Sequence, residues 1–188
     1  MTIRLYQRAG SPYCRTIGWV LARKRLACET IEVGEAVAGD LRRRYETDDL
    51  PLLEDGEAAV AGSRAIVSYL ERSYGDPSVF PSDPQKRNQA VTLAEFGDEA
   101  IGRLATRLVA GEEPRAPLFA ELRAALSQTR EAIARRALDS GACHLGDIAV
   151  AAHLVTCEEI PELEFQREYA DLAAYVARVR EKLGGTHG

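Results

Sequence analysis

The sequence predicts an α+β chain in two segments: a βαβαββα domain over residues 1–75 and an all-α domain over residues 85–188. Three observations predict it. Short strand patterns alternate with helical ones as far as Ala61 and then stop. A stretch punctuated by Gly75-Asp76-Pro77 and Pro81-Ser82-Asp83-Pro84 marks a linker over residues 76–84. Beyond it every apolar pattern has helical spacing.

The first strand runs from Ile3 to Gln7 and leads into Gly10-Ser11-Pro12. From Pro12 the pattern is helical, with Cys14, Ile17, Gly18 and Leu21 at i, i+3, i+4 and i+7. Ser11 suits the N-cap and Pro12 the first helical position, where its missing N–H has no partner to lose. Glu29 to Val33 predicts a second strand and residues 36–46 a short helix. Leu50-Pro51-Leu52-Leu53, a turn at Asp55-Gly56 and Ala58 to Ala61 predict a hairpin. Ser63 then caps a helix with the stripe Ile66, Val67, Leu70 and Tyr74. The second segment predicts helices over 85–111, 117–138, 146–159 and 167–183. Asp147 is expected to cap and orient the third of these, with His153 and Trp19 as packing residues and His187 in an unstructured tail.

Composition bounds the function. The chain has 188 residues, 46% hydrophobic and 28% charged, as soluble domains do. Residues 1–75 balance 11 Lys/Arg against 11 Asp/Glu, and the whole net charge of −5 arises later. No basic excess points to nucleic acid, and no run approaches the length of a membrane span. Arg23-Lys24-Arg25 and Arg42-Arg43-Arg44 read as solvated helix faces. Cys14, Cys28, Cys143 and Cys157 form no C-x-x-C pair, so neither a metal site nor a dithiol site is predicted. Met1 to Leu5 enters a strand pattern directly, which predicts a cytoplasmic protein whose cysteines stay reduced.

The chemistry concentrates at Ser11-Pro12-Tyr13-Cys14. A hydroxyl, a proline of fixed φ and a thiol share one helix N-terminus, where open amides and the helix dipole favour an anion such as a thiolate. Ser11 is the candidate catalytic group there, with Cys14 beside it on the apolar stripe.

Four segments in order resemble the glutathione transferase family. Ser11-Pro12-Tyr13-Cys14-Arg15 is similar to its first-helix turn, and Leu50 to Gly56 to its strand with a cis-proline. Gly62-Ser63-Arg64-Ala65-Ile66 is similar to the start of its third helix, and Leu145 to Ala151 to its buried capping segment. The resemblance implies a thioredoxin-like N-terminal domain with an all-helical C-terminal domain, glutathione as co-substrate, and a homodimer. It also implies roles. Leu50 would pair its backbone with the tripeptide as a strand does, and Pro51 is the natural cis site. Ser63 would meet the γ-glutamyl carboxylate, with Arg64 adding charge and Tyr13 lining the pocket. Ser11 would hold the sulfur as thiolate, each pKa unit lowered being worth about 1.4 kcal/mol. A small electrophile would lie toward Phe96 and Arg103, and Asp98 of a second copy would reach the ligand.

The chain departs from the family pattern at Gly62, where an acid or amide precedes the serine, at Asp48-Asp49 before the proline, and at His144 in the capping box. Serine in place of the first cysteine of Cys-Pro-Tyr-Cys favours conjugation over disulfide exchange, because a hydroxyl forms no mixed disulfide. Two other readings stay open: a non-catalytic scaffold of the same fold that binds a protein partner, and a thiol–disulfide oxidoreductase using Cys14.

Overall fold

The computed structural model describes residues 2–135 and 143–184. The chain divides into two compact units, Met1–Ser78 and Val79–Gly188. His187 and the expected helix end at 136–138 lie outside the described residues.

In the first unit the order is β1(Ile3–Gln7), α1(Pro12–Arg23), β2(Cys28–Glu32), α2(Glu35–Tyr45), β3(Leu52–Asp55), β4(Ala58–Ala61) and α3(Ser63–Tyr74). The sheet runs β2-β1-β3-β4, with β2 parallel to β1 and the other pairs antiparallel. The predicted thioredoxin-like arrangement is therefore present. Successive strand residues face opposite sides. Tyr6 and Leu52 join Leu41 of α2 in one buried cluster, while Leu53 is fully buried on the other side. Helices α1 and α3 pack together, burying Ile17, Val20, Ile66 and Leu70 completely. The hairpin turn falls on Gly56-Glu57, one residue later than expected. Gly56 has φ +62° at the first central position, where a primed turn places glycine.

The second unit contains α4(Pro84–Phe96), a π-helical segment (Gly97–Gly102), α5(Arg103–Val109), α6(Arg115–Ala134), α7(Leu145–Cys157), a 3-10 turn (Pro161–Leu163), α8(Phe165–Glu168) and α9(Ala170–Lys182). Asp83 caps α4 by accepting from the Lys86 N–H at 2.9 Å. The single helix expected over 85–111 is two helices joined by the π segment. His153 of α7 causes the wide turn to be useful: its ring is fully buried, and its Nε2–H donates to Asp98 Oδ1 at 2.7 Å. The acid expected to serve a second copy thus binds a histidine of its own chain. Helix α7 is buried along its entire length. Asp147 holds it as expected, accepting from the His144 N–H at 3.1 Å and the Tyr175 hydroxyl at 2.7 Å. Burial, first, and the neighbouring Asp147 charge push the Tyr175 phenol far above its usual range. No helix among the described residues is long and apolar enough to cross a membrane.

Candidate functional site

The β1–α1 turn begins at Gly10, whose φ of +76° suits glycine. The Ser11 N–H donates to the Arg8 carbonyl at 3.1 Å, closing the turn. Ser11 caps α1 as predicted, its Oγ accepting from the Cys14 N–H at a long 3.4 Å. That contact uses a lone pair of the oxygen. A hydroxyl also carries a proton, so a half-buried Ser11 can donate while it caps. Tyr13 is half-buried on the same turn. Cys14 is 1% exposed, on the inner face of α1.

The ladder register brings the remaining candidates to the same end of the sheet. β1 runs toward Ser11, and its residue Tyr6 lies opposite Leu52 of the antiparallel β3. Leu50 and Pro51, just before β3, therefore lie alongside the end of β1. Their peptide bond is cis. Leu52 lies opposite Ala61 of β4, and the Pro51 carbonyl accepts from the Gly62 N–H at 2.9 Å. The end of β4 is thereby fixed against Pro51, and α3 starts from the same place. Leu50 is one step beyond Pro51 and two beyond the last ladder pair, so its N–H and C=O extend past the β1–β3 ladder.

The structure places Ser63 at the first position of α3 and not at its cap. Gly62 is the cap, with φ +85° and ψ 137°. This is backbone that side-chain-bearing residues rarely adopt, which accounts for the glycine at this departure from the expected pattern. Ser63 keeps its place among the first-turn amides, which have no helical acceptors, and its side chain is half-buried. Arg64 follows, exposed on the same turn.

Two buried polar centres lie elsewhere in the same unit, and the sequence reading missed both. Glu54 of β3 is 7% exposed. Its Oε2 accepts from the Tyr6 hydroxyl at 2.6 Å, and its Oε1 meets the Tyr45 hydroxyl and the Arg44 guanidinium. Burial alone would raise the Glu54 carboxyl. The Tyr45 and Tyr6 hydroxyls and the Arg44 charge outweigh it and hold the group below the usual carboxylate range. Tyr45 is pushed up to about 12, by burial and then by its bond to Glu54. The second centre is Lys24, whose side chain is fully buried and ion-paired to Glu71 at 2.8 Å. Asp48 is paired with Arg42 at 2.5 Å, both exposed, so one of the two acids before Pro51 is partly neutralised.

The lowered Glu54 carboxyl has a pH consequence. Its pKa is higher in the unfolded chain, so its stabilisation is complete at neutral pH and is lost as pH falls through the ordinary carboxylate range to its lowered folded value. Urea unfolding of wild type and Glu54→Gln should show a stability gap that is constant above about pH 5 and closes in acid. A gap that widened on acidification would contradict the assignment.

Comparison with known proteins decides the family of the first unit. Residues 5–78 match the glutathione S-transferase N-terminal domain family. A glutathione S-transferase from Methylobacterium radiotolerans, solved in complex with glutathione sulfonate, superposes with a TM-score of 0.79 at 24% identity, covering 100% of this chain and 95% of that one. The first unit belongs to the glutathione S-transferase N-terminal domain family. Glutathione S-transferase D7 of Anopheles gambiae is 28% identical to this transferase-like chain over 207 residues, 100% of the chain and 90% of the relative. Glutathione S-transferase 1 of Manduca sexta is 32% identical over 93 residues, 46% of the chain. The chain spans about half the length, or somewhat less, of the first curated relatives it matches. In the transferase-like fold the matched segment is the unit that carries Ser11, Leu50, Pro51, Ser63 and Arg64.

Proposed function

We propose that the chain binds glutathione at the sheet end formed by Ser11, Leu50-Pro51 and Ser63, and activates its thiol for attack on a small electrophile. The observation that carries this reading is the convergence of three kinds of donor. Ser11 offers a hydroxyl proton at a helix mouth, Leu50 a strand-like N–H and C=O, and the start of α3 a set of amides beside Ser63 and Arg64. A tripeptide with a thiol, an extended backbone and a terminal carboxylate is complementary to that set. The relative solved with glutathione sulfonate supports the choice of tripeptide.

The reaction follows from the residue types. Ser11 donates to the bound sulfur, favours the thiolate and leaves it as the nucleophile, since the thiolate is the reactive form. Cys14, buried and three residues further on, packs the helix against the core. Tyr13 borders the sulfur, and Arg64 adds positive charge at the carboxylate end. A homodimer and a cytoplasmic location belong to the same proposal; the four cysteines, none in a disulfide, suit a reducing compartment.

Ser11→Ala tests the reading. Turnover of an activated aryl halide at neutral pH should fall about 10- to 100-fold, as expected if losing the Ser11 donor raises the pKa of the bound thiol by about one to two units and lowers the thiolate fraction accordingly. The glutathione Kd should change less than about threefold, or roughly 0.6 kcal/mol. Removing the long cap bond should cost about 1 kcal/mol or less of stability, measured separately by thermal unfolding. Unchanged turnover would remove Ser11 from the chemistry. Absence of heat when wild type is titrated with millimolar glutathione would remove the ligand.

A further inference from the structure

We infer that Glu54 is a positioning residue for this site: its buried carboxylate fixes the end of α2 to the sheet and so sets where Leu50 presents its backbone. The inference rests on the reading that Leu50 pairs with glutathione, and it extends that reading to a side chain that touches no ligand.

The geometry is a closed ring of contacts. From Glu54 the chain runs back along β3 to Pro51 and Leu50. From Leu50 it continues back through residues 46–49 to Tyr45 and Arg44 at the end of α2, and these return to the Glu54 carboxylate. Tyr6 adds β1 to the ring through its bond to Oε2. The segment between is held at several points. Glu46 closes α2 in a left-handed conformation, its N–H donating to the Arg42 carbonyl at 3.1 Å. Asp48 pairs with Arg42, and the Asp49 N–H donates to Thr47 Oγ1 at 3.1 Å. Leu50 packs against the cluster of Tyr6, Leu41 and Leu52, as does Tyr45. One side chain thus controls both the helix end that leads into Leu50 and the surface on which Leu50 rests.

The energetic reason is that α2 cannot move away without taking the Tyr45 hydroxyl and the Arg44 guanidinium from the carboxylate, which would keep only Tyr6 and, at 3.7 Å, Arg4 of β1. A buried charge that loses its nearest cation and one of its two phenol donors is costly, more so than the net value of an exposed bond. The phenols and guanidinium are supplied by elements flanking Leu50 in space. The device therefore resists displacement of residues 46–50 specifically, while α1 and α3 are held by their own packing.

Hydrogen exchange and calorimetry on Glu54→Gln test this, with Tyr45→Phe as the milder variant in case the first fails to fold. Amides of residues 46–50 should exchange about tenfold faster, the effect of about 1.4 kcal/mol of local opening, with α1 and α3 unchanged. The glutathione Kd and KM should rise about tenfold, while kcat at saturation falls much less. Unaltered exchange in residues 46–50 would overturn the inference, as would acceleration spread equally over α1 and α3 in both variants. If wild type bound no glutathione, the functional reading would fall, and the exchange pattern would still decide whether Glu54 positions the segment.

Discussion

Lys24→Met is expected to lower the free energy of unfolding by about 3–5 kcal/mol, the range for breaking a buried ion pair from one side. The Lys24 side chain is fully buried at the C-cap of α1. Its ammonium donates to Glu71 Oε1 at 2.8 Å and to the carbonyls of Gly75 and Pro77 at 2.7 and 3.3 Å. An ammonium has three donors, and all three have acceptors. Methionine fills a similar volume but leaves the Glu71 carboxylate, 13% exposed, without its cation. It also leaves two carbonyls without a donor at the end of α3. Ser78 still donates to Glu71 Oε2 at 2.6 Å, which offsets only part of the loss. Arginine is no substitute, since its planar fork does not reproduce three donors converging from a point. The double variant Lys24→Met/Glu71→Leu should recover a large part of the stability, because no charge is then left buried alone. Chemical denaturation of the three proteins measures this. A single variant within about 1 kcal/mol of wild type, the value of an exposed pair, would show that the lysine is not the tie described.

Lys24 also shows where the sequence stops being informative. Arg23-Lys24-Arg25 reads as a solvated basic face, and Arg25 is indeed exposed. What buries the middle residue is a glutamate 47 positions away, and no local pattern announces such a pairing. Glu54 is similar: its tyrosine partner on β1 lies 48 positions away, and Glu54-Asp55-Gly56 reads only as a turn. The residues legible beforehand are those whose role is local. Ser11 before Pro12 is a cap by chemistry alone, and β1 and β4 begin and end where predicted because strand alternation and turn residues fix their limits. Helix limits follow the same logic with small errors. α6 starts at Arg115, two residues before Pro117, because proline is tolerated throughout a first turn. Ser63 is displaced from cap to first position because a glycine of positive φ precedes it. The α3 end of the candidate site is therefore legible in residue type but not in backbone role.

The π segment was invisible to periodicity, since one extra residue per turn hardly disturbs an apolar stripe over 27 positions of helix. Two glycines mark it, and they carry the second large expectation. A Cβ on Gly102 would lie 2.4 Å from His153 Nδ1 and 2.6 Å from Cε1, and one on Gly97 would lie 3.2 Å from His153 Cδ2. The imidazole cannot swing aside: it is fully buried and its Nε2 is held by Asp98 at 2.7 Å. Gly102→Ala is therefore expected to destabilise the protein by about 3 kcal/mol or more, combining overpacking with loss of the bond to Asp98. Gly39→Ala is the matched control. Gly39 is also helical, within α2, but a Cβ there meets nothing within 4 Å. That change should stabilise by up to about 1 kcal/mol through helix propensity alone. The same substitution thus takes opposite signs at two helical glycines, and thermal unfolding reads both. Shrinking the obstacle in Gly102→Ala/His153→Ser should return part of the loss, a coupling absent when His153→Ser is combined with Gly39→Ala. If Gly102→Ala proved as stable as wild type, His153 would have to be free to move, and the π turn would need a different reason than making room for its ring.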